Sequence, residues 1–417
     1  MIRNIFIYLS ASILIALFNG CSTNEETEVE LPISIDLLKV HVNPDYETTR
    51  SWIVVHDNNG NLLEYKELIA GNDFVLTTNK GVEGNIIDVT ILEHNVNNTG
   101  LKLFEFKSYM NVELAQTIHI TSKTDTPSLS VGDSLKLNVV NTPNYHEFHL
   151  SPYSRSSATR GLFKSYEKLL EITTVVEDLE QGFFFYIKDE DENLKYKIVD
   201  GNNVTGGEHT LDFNELDSFD QIVEFNFPTS SSYNFSVSGK DLNLPNHFRK
   251  VQTGSHLASH PHSSWKAGYL NNFDQYQTNL RIDYSGFQFI YLNKGTIPDG
   301  NITWPTPTNF TISNTGLNNF SSNVASSMTY RESVWDYYSS AERFMVNWIV
   351  YSPSATQLAK EIPSEILELY PLLKNINLEY TQSTFYIGPR TYDNFLQVTY
   401  GVETNDSGID IGILFAK

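Results

Sequence analysis

Apolar residues in this chain recur mostly at every second position, and turn-forming residues interrupt them at short intervals. Side chains alternate across a strand with a period of two, against about 3.6 around a helix, so the pattern commits most of the chain to β-structure. Short strands at this spacing read as sandwiches or barrels. The expectation is an all-β protein: two or three β-sandwich-like domains in tandem, with two short helices in the C-terminal one. At roughly 100–200 residues per domain, 417 residues suffice for two to four domains. Hydrophobic residues make up 40% of the chain and aromatics 13%, enough for each domain to bury a core.

Seven strands are expected first, at Ile33–Val42, Ser51–His56, Leu62–Leu68, Phe74–Thr77, Ile86–His94, Leu101–Met110 and Ala115–Thr121. Asn59-Gly60 lies between the second and third. That pair is the strongest short hairpin signal, because both turn residues must take positive φ. Residues 32–125 resemble an immunoglobulin-like or carboxypeptidase-regulatory-like sandwich in strand number and spacing. Ser122–Ser128 reads as a linker and Ser151–Ala158 as a polar loop.

A second β domain is expected over 126–228, with strands at Leu135–Val140, Leu169–Val176, Phe183–Ile187, Leu194–Val199 and Ile222–Phe227. Pro228–Ser232 reads as the next break, and 229–417 as the last domain. That domain is expected to carry strands at Tyr233–Val237, Leu280–Tyr284, Phe287–Leu292, Phe310–Ser313, Phe344–Tyr351, Ser383–Ile387, Phe395–Tyr400 and Ile409–Ala416. Ala355–Asn375 is helical in pattern but interrupted by Pro363 and Pro371, which predicts two short helices.

Cys21 is the only cysteine. It follows Arg3, an apolar run from Ile5 to Leu17, and Phe18-Asn19-Gly20. The run is shorter than the roughly 20 apolar residues that a membrane span needs. The order of basic residue, apolar run and small residue before the cysteine resembles the signal peptide of a bacterial lipoprotein, of the kind found in Bacteroidota. That resemblance implies cleavage of residues 1–20 and acylation of Cys21, with two or more chains giving stable membrane anchoring. Residues 21–31 form an acidic tether carrying Glu25, Glu26, Glu28 and Glu30. An acidic patch at this place is similar to the surface-export signal of such lipoproteins, so an outer-membrane, cell-surface location is expected. With Cys21 acylated no thiol remains, which leaves neither disulfides nor Cys-ligated metals.

The formal net charge is −22, which repels nucleic acid and anionic head groups. No nucleic-acid partner is expected. Catalytic motifs are absent: the chain holds no GxSxG, P-loop, GxGxxG or HExxH sequence. Four histidines fall between His247 and His262. Of these, His256, His260 and His262 are candidate metal ligands, on a helix face or, given Pro261 and its flanks, in a polar loop. His146 and His149 would point to opposite faces of a strand and form no joint ligand set. Asp189–Asn193 echoes a calcium loop, but Leu194 stands where glycine is needed, so a charged hairpin turn is expected.

Aromatic rings remain as the binding signal. Trp265, Trp304, Trp335 and Tyr337 have polar neighbours and are candidate ligand contacts, since rings stack on sugars while nearby amides and carboxylates supply hydrogen bonds. The competing reading puts these rings in sheet cores, as expected for Trp348 within its apolar strand. The functional expectation is a non-catalytic, lipid-anchored binding protein for a glycan or a partner envelope protein, without cofactor. The alternatives are a glycan or peptide hydrolase using carboxylates or the His247–His262 region, and a structural or adhesive spacer.

Overall fold

The computed structural model describes residues 34–121, 133–152, 160–176, 180, 182–204, 206–241, 248–324, 328–353, 360–401 and 407–416, with the backbone alone at 152, 231, 241, 248 and 256–261. The signal peptide, Cys21, the acidic tether, the 122–128 linker, most of the 151–158 loop and His247 lie outside the described residues.

The first seven strands form where the alternation places them: β1 (Ile35–Val42), β2 (Arg50–His56), β3 (Leu62–Glu67), β4 (Asp73–Thr78), β5 (Ile86–Val96), β6 (Lys102–Glu113) and β7 (Gln116–Ile120). Eight follow: β8 (Asp133–Val140), β9 (Tyr145–Pro152), β10 (Arg160–Lys164), β11 (Leu169–Val176), β12 (Phe183–Asp189), β13 (Leu194–Val199), β14 (Glu208–Asp212) and β15 (Asp217–Ser218). The remainder comprises β16 (Gln221–Asp241), β17 (Phe248–Tyr269), β18 (Phe273–Tyr284), β19 (Phe287–Gly295), β20 (Thr311–Asn314), β21 (Ser321–Asn323), β22 (Tyr330–Ser339), β23 (Phe344–Ser352), α1 (Ser364–Leu369), β24 (Glu379–Ile387), α2 (Tyr392–Thr399) and β25 (Gly408–Ala416). The protein is all-β, built of several packed sheets.

A twelve-stranded sheet dominates, in the order β17-β16-β18-β19-β25-β24-β22-β23-β6-β5-β2-β3. Its one parallel contact, β6 with β23, joins strands from opposite ends of the chain. Six of the seven residues of β2 are buried because both faces of the sheet are covered there. Ile53 and Val55 face the small sheet β4-β1-β7, whose Leu38 and Val40 complete that core. Trp52 and Val54 face the opposite way, into a core with Phe104, Trp335 and Trp348. In the middle of the chain, sheets β10-β11-β8-β14 and β15-β13-β12-β9 close on Leu137, Ile172, Phe185 and Ile187. The outer face of β12, through Phe184 and Tyr186, packs onto Trp265 and Phe225 of the large sheet, so β12 is buried along its whole length.

The turns follow their local chemistry. Asp57 accepts backbone hydrogen bonds from Asn59 and Asn61 at 2.9 and 2.8 Å; of the Asn59-Gly60 pair only Gly60 takes positive φ (86°), so the β2–β3 hairpin closes through the longer Asp57–Asn61 turn and not through the two-residue turn expected. Asp189 does the same for Asp191 and Asn193 at 3.0 and 2.8 Å, so its carboxylate holds the β12–β13 turn.

Three local expectations are corrected. Phe395–Tyr400 is not a strand: Phe395–Thr399 belong to α2, with Tyr400 at its C-cap and the Thr391 hydroxyl capping its N-terminus. Tyr392, Leu396 and Tyr400, four residues apart, are the buried stripe. Pro228–Ser232 does not interrupt the chain: it lies within β16, where the register to β17 shifts and pairing with β18 begins only at Ser232. Proline is tolerated in a strand at such irregular places. The His256–His262 stretch is neither helix nor loop but backbone of β17.

Candidate functional site

The aromatic candidates separate by burial. Trp265 and Trp335 are 1% and 0% exposed, which removes both as ligand contacts. Trp265 lies among Phe225 and Phe235, with ring centroids 5.2 and 4.6 Å away. Trp335 donates its indole N–H to the Thr315 carbonyl at 2.8 Å. Both sit on strand faces that turn inward, and their polar sequence neighbours belong to the other face. Trp348 fills the core as expected. Trp304 is half-exposed, but one face stacks on Phe289 at 5.2 Å and its indole N–H is held by the Asn226 carbonyl at 2.8 Å.

Tyr337 lines a large groove. The groove opens where β22 and β24 end, encloses about 1020 Å³ including solvent at its mouth, and is lined by Asp336, Tyr337, Tyr338, Asn377, Glu379 and Thr381. Alternation on β22 sends Trp335 inward and presents Asp336 and Tyr338 on the opposite face. Tyr338 is 64% exposed, an isolated ring with a free face. Tyr337 is half-buried against Phe344 at 5.3 Å.

Asp336 is fixed from both sides. Its carboxylate accepts from Asn347 Nδ2 at 2.6 Å and from Thr381 Oγ1 at 2.9 Å, so each oxygen already holds one hydrogen bond. Glu379 stands directly across the ladder from Asp336. Side chains so placed have Cβ atoms about 4.5–5.5 Å apart. The arrangement offers one stacking ring, two carboxylates, an amide and a hydroxyl along an open floor.

A second open groove is lined by Asn234, Ser236, Lys250, Asn279 and Arg281 among others. Its only aromatic, Phe235, is buried, so it gives no surface for stacking.

Of the histidine candidates, His262 is half-buried and meets the Tyr233 ring edge-on at 5.5 Å. His256 lies opposite Tyr233 and His262 opposite Ser230 in the β16–β17 register, while the side chains of His256 and His260 lie outside the described residues. Among the described residues no group of three or more His, Cys, Asp or Glu side chains is arranged to hold a metal ion. Among them, too, no helix is long and apolar enough to cross a membrane.

Asp336, Asn377, Glu379 and Thr381 were not singled out from sequence. The signal for Asp336 was available: once Trp335 is assigned to a core, alternation exposes its neighbour. Nothing local ties Glu379 to Asp336, 43 positions away, before the strands pair.

No family of known proteins matches this chain, and no curated protein does. Among solved structures, the tetra-tandem repeat in the extending region of a large adhesion protein aligns at 9% identity over 85% of this chain and 96% of that one, with a TM-score of 0.11. A superposition that poor carries no argument about fold or function.

Proposed function

We propose that this chain is a non-catalytic glycan-binding protein, anchored in the outer membrane by lipid on Cys21 and displayed at the cell surface. The observation that carries the binding reading is the exposed Tyr338 ring beside an Asp336 carboxylate held in place by Asn347 and Thr381. A free ring next to fixed acceptors suits a sugar, whose apolar face stacks while its hydroxyls donate. Two carboxylates in the groove favour a neutral polysaccharide over an anionic one. The cross-strand pair Asp336–Glu379 also motivates a hydrolase reading. Both Asp336 oxygens are already engaged as acceptors, which fixes that carboxylate in place under either reading.

Affinity electrophoresis of the full chain against a panel of neutral polysaccharides tests the proposal. Retardation by at least one, weakened about tenfold in Tyr338→Ala, is expected, a factor worth about 1.4 kcal/mol. No retardation, or equal retardation of the variant, overturns the glycan reading. Release of reducing sugar, abolished in Asp336→Asn, would establish the hydrolase instead. Anchoring is checked separately: Cys21→Ala should move the chain out of the membrane fraction.

A further inference from the structure

The sheet β4-β1-β7 turns Leu38 and Val40 inward and a row of polar residues outward. In that row His41 of β1 stands directly opposite Asp73 of β4 on one side and His119 of β7 on the other. Nδ1 of His41 is hydrogen-bonded to the Asp73 carboxylate. That bond fixes the ring's orientation and leaves Nε2 as the free nitrogen. The rings of His41 and His119 lie 5.1 Å apart between centroids, inclined at 57°. Zinc binds imidazole nitrogen at about 2.0–2.1 Å, so two rings at a tetrahedral angle have centroids about 5.2 Å apart.

We infer that His41 and His119 form a binding site for a divalent transition-metal ion of the zinc type, with Asp73 as the positioning residue behind His41. A histidine that gives its other N–H to a carboxylate is the usual arrangement of a metal ligand, because the carboxylate fixes the tautomer and raises ligand basicity. The imidazole of His41 is 44% exposed, so an ion can reach it from solvent. Two protein ligands leave positions for water, which makes the site open and exchangeable. Lys39, two residues before His41 on the same face, is the neighbouring cation; the net charge of −22 opposes its effect at longer range. The site is independent of the groove at Tyr338 and of the His256–His262 stretch.

The test is calorimetric titration of the full chain, purified in detergent and stripped with chelator, with zinc sulfate at neutral pH. One ion per chain is expected. It should be lost in His41→Ala and in His119→Ala, weakened about tenfold in Asp73→Asn, and retained in the triple variant His256→Ala, His260→Ala, His262→Ala. His119→Gln serves as a second removal should His119→Ala fail to fold, as judged by circular dichroism. Absence of zinc binding, zinc binding that survives loss of either His41 or His119, or zinc binding lost in the triple variant overturns the inference.

Discussion

His149, on β9, is an imidazole whose Nε2 lies buried without a partner. Burial, with Lys250 adding repulsion, pushes its pKa down to about 4. Burial lowers that of His56 as well. Above pH of about 6.5 both folded and unfolded forms are neutral; below it the unfolded chain takes up a proton that the folded one refuses. Stability should therefore be full at neutral pH and fall as pH drops from about 6.5 towards 4, by on the order of 3 kcal/mol for His149. Melting temperatures measured across that range should show the fall, and His149→Gln should flatten it; an unchanged profile would assign the pH dependence to other groups. Gly182 poses a steric limit. It takes φ +76°, and a Cβ there would stand 2.2 Å from the Val199 carbonyl oxygen. Gly182→Ala is expected to cost about 2 kcal/mol or more, read from the urea midpoint.

The segment after residue 359 is pinned to the large sheet by a buried ion pair between Lys360 and Asp88, side chains 5% and 2% exposed. Asp88 also accepts the backbone N–H of Asn111 at 2.8 Å, at a bulge in β6. Removing one partner of such a pair strands the other in low dielectric, so Lys360→Met should destabilise by about 3–5 kcal/mol, and adding Asp88→Asn should recover part of that loss. Chemical denaturation of the two variants decides it. Elements of this kind divide by what sequence can carry. Alternation and turn residues made β1–β7 and the Asp57 and Asp189 turns legible, because their causes lie within a few residues. Phe395–Tyr400 was misread because a short apolar run does not tell strand from helix. Thr391 as a cap and the 392/396/400 spacing were the overlooked signs. Trp265 and Trp335 could not be placed, since alternation says which residues share a face but not which face is covered. The Lys360–Asp88, Asp336–Glu379 and His41–His119 pairs exist only through strand registers that no local pattern encodes.

Strands β2, β3, β5 and β6 share one sheet with β22–β25, and residues 34–121 share the cores on its two faces with Tyr330, Trp335, Trp348 and Tyr392. Trp348 stacks on Phe106 at 4.4 Å and donates to the Ser108 hydroxyl, 240 residues earlier, at 2.9 Å. Residues 32–125 expressed alone should therefore fail to reach a packed state, showing poor amide dispersion by NMR; a well-dispersed spectrum would make the β6–β23 seam dispensable. The small sheet has a different consequence. If the proposed lipid on Cys21 holds the chain, drag on its body would reach the described fold first at β1. That strand is the centre of its sheet, antiparallel to β4 and parallel to β7. A pull towards its N-terminus runs along the strand axis, so the hydrogen bonds to both neighbours are sheared together instead of being unzipped one by one. Under the proposed anchoring, force would thus enter this fold at a strand gripped on both sides, a clamp in place of a zipper.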